Sequence, residues 1–123
     1  MKQIDVAKVI GSPSALTQVQ GDDIYHLLVS SFEKGEKVEL DFSNVESMIS
    51  PFLNNAIGQL YGKYTSEVIK EFLELKNFPS NKNATLNVVI SNAKKFYSNK
   101  DGEIFRFLSK YYDINEKISQ NFD

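Results

Sequence analysis

Val38-Glu-Leu-Asp-Phe-Ser-Asn-Val-Glu-Ser-Met-Ile-Ser-Pro-Phe-Leu-Asn-Asn-Ala-Ile-Gly-Gln-Leu-Tyr61 is the stretch that decides the fold. Val38, Leu40 and Phe42 alternate with Lys37, Glu39 and Asp41, the period of a strand with one wet face. Ser43–Ile49 reads as the loop that leaves this strand, anchored by Val45 and Met48. Leu53, Ala56, Ile57, Leu60, Tyr61 and Tyr64 then recur at helical spacing, which predicts one continuous helix over 51–64. Ser50 suits its N-cap and Pro51 its first helical position. Gly58 inside that helix is read as a point of close approach to the sheet. A hydroxyl over a helix N-terminus faces orphan N–H groups, which favour an anion there. Ser50 is therefore a candidate for binding as well as for capping.

Working outward, Lys2–Ile10 alternates and reads as a strand, and Gly11–Ser14 as a turn. Ala15–Gln20 allows a second short strand through Leu16, Thr17 and Val19. Asp22 or Asp23 is the expected cap of a helix carrying Ile24, Leu27, Leu28 and Phe32, which Gly35 stops. On the other side, Ser66–Lys70 fits a helical turn and Phe72–Leu75 a strand closed by Asn77–Ser80. Leu86, Val89, Ile90, Ala93, Phe96 and Tyr97 share one face of a long helix. Asn99–Gly102 breaks it, and Ile104, Phe105, Leu108, Tyr111 and Tyr112 suggest a last helix over 103–112. Residues 114–123 form a polar tail.

Strands alternating with helices predict an α/β layered domain over 1–113, with helices packed on a mixed or parallel sheet of about four strands. Val38, Leu40, Phe42, Leu53, Ile57, Leu60, Leu86, Ile90 and Ala93 are its expected core.

The 123 residues are 41% hydrophobic and 24% charged, the balance of one ordinary globular domain. The N-terminus lacks the apolar core of a signal peptide and no run is long enough to span a bilayer, so a cytoplasmic protein is expected. The absence of cysteine excludes disulfides and thiolate chemistry. His26 has no partner set resembling a metal or catalytic motif, and no phosphate-binding glycine loop is present. No enzyme, cofactor or metal site is expected.

Net charge is −2 but uneven: residues 81–112 hold six Lys/Arg against Asp101 and Glu103. Lys94, Lys95, Lys100, Arg106 and Lys110 would carry the alternative function, a small nucleotide-responsive or nucleic-acid-binding regulator. The lone arginine and the thin spacing of these charges weigh against nucleic acid. Asp41, at the carboxyl end of a parallel strand, could meet a ligand or cap the Ser43–Asn44 turn.

Leu40-Asp-Phe-Ser-Asn-Val45 followed by Ser50-Pro-Phe-Leu-Asn-Asn-Ala-Ile-Gly-Gln-Leu-Tyr61 resembles the bacterial and phage STAS-like domain family of unknown function, distantly similar to anti-sigma-factor antagonist STAS domains. In that family an LDF-small-x-V strand precedes a serine-phenylalanine helix start. An asparagine ends the following strand, and Asn77 matches it. Val89–Tyr97 looks like the family's last core helix, so the resemblance covers residues 2–98.

It implies a regulatory protein-interaction module that docks a partner through Ser43–Asn55, with Ser50, Asp41, Ser43, Asn44 and Asn54 as contact or phospho-acceptor candidates. The implied partner is a histidine-kinase-like ATPase or an anti-sigma-type regulator. A true STAS switch reads Asp-Ser-Ser/Thr-Gly at the helix entrance. Here Ile49-Ser50-Pro51-Phe52 stands instead, so only Ser50 carries over.

Overall fold

The computed structural model describes residues 1–97. The chain divides into two units, Met1–Ala93 and Lys94–Asp123; only Lys94–Tyr97 of the second lies within the described residues. The helix expected over 103–112 and the polar tail lie outside them.

Three strands, β1 (Lys2–Asp5), β3 (Val38–Asp41) and β5 (Leu73–Lys76), form a parallel sheet in the order β1-β3-β5. Ile4, Leu40 and Leu75 stand side by side in register, as do Gln3, Glu39 and Glu74. The first row turns inward, where Ile4 and Leu40 are buried. The second is polar, with Gln3 Nε2 donating to Glu39 Oε1 at 3.0 Å. Parallel strands covered on both faces read as unbroken apolar runs; the alternation of Val38–Asp41 marks a sheet with one dry face.

Among the described residues the main sheet has three strands, and the other two extended pieces pair with each other. β2 (Ser14–Ala15) and β4 (Ser47–Met48) form a separate two-stranded parallel ladder, Ala15 opposite Met48, both fully buried. The expected loop over Ser43–Ile49 thus contains a strand.

Several expected boundaries move. Lys2–Ile10 is not one strand: Asp5 accepts from the Lys8 N–H at 3.2 Å and caps α1 (Val6–Ile10), whose Val6 is buried. The short strand expected over Ala15–Gln20 ends at Ala15. Helix α2 (Gln18–Glu33) starts before Asp22 and Asp23, because Thr17 and Gln20 form a reciprocal capping box. Its end is as expected: Gly35, at φ 74°, returns its N–H to the Phe32 carbonyl, and Glu36 returns its own to that of Ser31.

The helix expected over 51–64 is two pieces. Helix α3 (Ser50–Ala56) gives way at Ile57, φ −115°, to a 3-10 helix over Gly58–Gly62. The apolar spacing survives, since Leu53, Ala56, Ile57 and Leu60 are all buried. A Cβ at Gly58 would lie 3.6 Å from Val89 and 3.8 Å from Ala93, so this glycine faces α5 rather than the sheet. The close approach belongs to Gly21, where a Cβ would lie 2.5 Å from the Phe52 carbonyl oxygen. α2 and α3 thus pack backbone to backbone.

α4 (Ser66–Phe72) is capped by Thr65 and leads directly into β5, one residue later than expected. In α5 (Asn83–Tyr97) the fully buried position is Val89; Leu86, Ile90 and Ala93 are half-buried.

Candidate functional site

The carboxyl ends of the three parallel strands bring Asp5, Asp41 and Lys76 into one row. Asn44 donates from Nδ2 to Asp5 Oδ2 at 3.1 Å. Asp41 Oδ1 accepts the Ser43 N–H at 2.9 Å and Asn77 Nδ2 at 3.0 Å. Asn77 reaches it because it ends β5 in the left-handed conformation, φ 57°, which asparagine tolerates better than most residues. The Asn77 hydrogen bond, then the Ser43 N–H, hold the Asp41 carboxyl below its ordinary value, with a smaller contribution from the charge of Lys76. Asp41 is thus the cap of the Ser43–Asn44 turn and the tie between β3 and the end of β5. Both bonds fall on Oδ1.

The structure brings Asp41, Ser43 and Asn44 together here, joined by Asp5 and Asn77. Ser50 and Asn54 belong to α3 instead, on the far side of β4. Ser50 is not the helix cap. Ile49 occupies that position in extended conformation, φ −130° and ψ 168°, and no side chain caps the helix. The cause is the β2–β4 ladder: the Ile49 N–H donates to the Ala15 carbonyl at 3.2 Å, which keeps Ile49 in strand geometry. Ser50 and Pro51 become the first two helical residues, and the Ile49 carbonyl receives the Phe52 and Leu53 N–H groups. Ser50 and Asn54, one turn apart, are both exposed.

Sequence reasoning missed the apolar side chains left exposed beside the β2–β4 ladder and at the start of α2. Ile49 is 43% exposed, Leu16 43% and Val19 69%. The ladder places Ala15 opposite Met48 with their side chains inward, so Leu16 and Ile49 follow with theirs outward. Val19 lies exposed in the first turn of α2. Nearby, Asp22 Oδ1 accepts from Asn55 Nδ2 and Gln59 Nε2, both at 2.9 Å, which locks α2 to α3. Thr17-x-x-Gln20 was the available signal, since a capping box there fixes the helix start and leaves Leu16 and Val19 outside the core.

His26 is exposed beside Tyr25, and among the described residues no group of acidic or histidine side chains could hold a metal ion. No described helix is long and apolar enough to cross a membrane. Of the basic alternative, Lys94 and Lys95 are exposed on α5; Lys100, Arg106 and Lys110 lie outside the described residues.

A family model described as a STAS-like domain of unknown function (DUF4325) matches residues 20–82, half of the chain. The match runs from the first turn of α2 through β3, α3 and β5, and so contains the Asp41–Asn77 pair and Ser50. Searches of curated proteins and of solved structures return no match.

Proposed function

The chain belongs to the family of STAS-like domains of unknown function, and from that premise we propose that it is a non-enzymatic regulatory module that docks a protein partner through Ser43–Asn55. The observation that carries this reading is Ile49. It is a large apolar side chain held in the open, between buried Met48 and exposed Ser50, on backbone fixed by the Ala15 hydrogen bond. A rigid apolar anchor beside neutral hydroxyl and amide groups suits the centre of a protein interface. Kinship with STAS domains suggests an ATPase of the histidine-kinase type or an anti-sigma-type regulator as the partner. Ser50, exposed and free of the capping role, is the position at which a phosphate would alter that interface.

The test is quantitative binding to a partner protein identified by cross-linking. Ile49→Asp and Ser50→Asp are expected to weaken the complex more than Ser50→Ala, because each buries an unpaired carboxylate at the contact. Wild-type affinity in all three variants would remove Ser43–Asn55 from the interface. The non-enzymatic part predicts no nucleotide or ester turnover; hydrolysis abolished by Asp41→Asn or Ser50→Ala would overturn it.

A further inference from the structure

The apolar residues of 51–64 recur at the spacing of one continuous helix, yet the chain leaves that path at Ile57 and runs as a 3-10 helix over Gly58–Gly62. The apolar pattern does not select the break. Two polar ties to α2, one at each end of the 3-10 segment, are placed to do so.

At its start, Gln59 Nε2 donates to Asp22 Oδ1 and to the Asn55 carbonyl, each at 2.9 Å. Asn55 Nδ2 donates to the same Asp22 oxygen at 2.9 Å. In a continuous α-helix the Asn55 carbonyl is the acceptor for the Gln59 N–H, so the Gln59 side chain competes with the α path for that oxygen. Beyond the other end, Tyr64 Oη donates to Glu33 Oε2 at 2.6 Å, its ring set edge-on to Phe32 with centroids 5.2 Å apart. Between the ties, the Leu60 N–H returns to the Ile57 carbonyl and the Lys63 N–H to the Leu60 carbonyl, both at 3.0 Å and both over three residues.

The ties keep chain order, so the two segments run alongside each other and their lengths can be compared. Asp22 and Glu33 are eleven residues apart on one regular helix, about 16–17 Å at the α-helical rise. Asn55 and Tyr64 are nine residues apart, about 13–14 Å if wholly α-helical. Five residues at the longer 3-10 rise add about 2–3 Å, which brings the two spans into agreement. We propose that α2 is a ruler against which Gly58–Gly62 is a stretched strap. Asp22 and Glu33 hold it in 3-10 form, and release of either tie lets it contract into a carboxyl-terminal extension of α3. This inference is independent of the docking reading.

The test uses the full-length chain and two variants. Tyr64→Phe keeps the ring and removes only the hydroxyl; Gln59→Ala removes the amide that joins Asp22 to the Asn55 carbonyl. Nuclear Overhauser contacts over 55–64 separate the two forms, since Hα(i)–HN(i+2) contacts mark the 3-10 path and Hα(i)–HN(i+4) contacts the α path. The wild type is expected to show the first kind across Gly58–Gly62. Each variant is expected to lose them and to gain the second kind from Asn55 to Gln59 and from Ile57 to Tyr61. Persistence of the wild-type pattern in either folded variant would overturn the proposal, as would Hα(i)–HN(i+4) contacts across the strap in the wild type. If Gln59→Ala does not fold, Tyr64→Phe decides alone.

Discussion

Gly21→Ala puts the α2–α3 contact to a direct test. Position 21 is in the first half of a sixteen-residue helix, where alanine is intrinsically better than glycine by about 1 kcal/mol. Against that, the added Cβ falls 2.5 Å from the Phe52 carbonyl oxygen, 2.8 Å from Asn55 Cβ and 3.0 Å from the Ala56 nitrogen. Two of these three atoms are backbone, so no rotamer change relieves the clash. Restoring an ordinary separation of about 3.5 Å requires α3 to retreat by about 1 Å. That loosens Phe52, Leu53 and Ala56 in the core and stretches the hydrogen bonds from Asn55 and Gln59 to Asp22.

Overpacking of this kind costs about 1–3 kcal/mol, and a rigid obstacle places it at the upper end. The net loss is then about 2 kcal/mol after the helix-propensity gain. In a domain of this size that is a fall in melting temperature of roughly 8–16 °C. Urea unfolding followed by circular dichroism measures it as a lower midpoint at unchanged slope. Gly58→Ala is the control, since its nearest neighbour would be Val89 at an ordinary 3.6 Å. If Gly21→Ala is as stable as the wild type or more so, the backbone-to-backbone packing is wrong.

Three further outcomes follow from the local chemistry. Thr17→Ala breaks the capping box and should cost about 1 kcal/mol, whereas Ser50→Ala, which removes no cap, should stay within about 0.5 kcal/mol in the same urea assay. Ser31 Oγ is buried with no hydrogen-bond partner among the described residues, so Ser31→Ala should be neutral or stabilising by up to about 1 kcal/mol. Asp41 has its folded pKa below the ordinary 3.8, so its contribution is present above that value and is lost as pH falls through the folded pKa. Urea midpoints taken down a series of acidic pH values should therefore decline less steeply in Asp41→Asn than in the wild type.

The fold was legible where burial alone decides conformation. Val38–Asp41 alternates because one sheet face is dry, and Gly35 ends α2 because a left-handed residue is required there. Boundaries set by hydrogen bonds between distant segments were not legible. Ser50 has every local mark of an N-cap, yet the position goes to Ile49 because Ala15, far away in sequence, takes its N–H. Apolar spacing did not reveal the change to a 3-10 helix at Ile57, since the same residues are buried on either path. The Asp41–Asn77 bond joins residues 36 positions apart, and only the parallel pairing of β3 with β5 brings them together.

The exposure of Ile49 follows from that same long-range pairing. Its N–H bond to Ala15 continues the β2–β4 ladder, in which strand alternation turns Met48 inward and Ile49 outward. A slip of one residue would bury Ile49 and expose Met48, exchanging one large apolar side chain for another. Burial of residues 48 and 49 therefore does not choose between the two registers. The choice is made by the Glu46 and Ser47 N–H groups bonding to the Pro13 carbonyl, and by Gly21 seating α2 on the Phe52 carbonyl. A two-residue ladder has little stability of its own, so its register is borrowed from the α2–α3 contact. Displacing α3 would then change the angle at which Ile49 is presented as well as the stability of the core. Gly21→Ala should accordingly weaken partner binding even at temperatures where the variant remains fully folded.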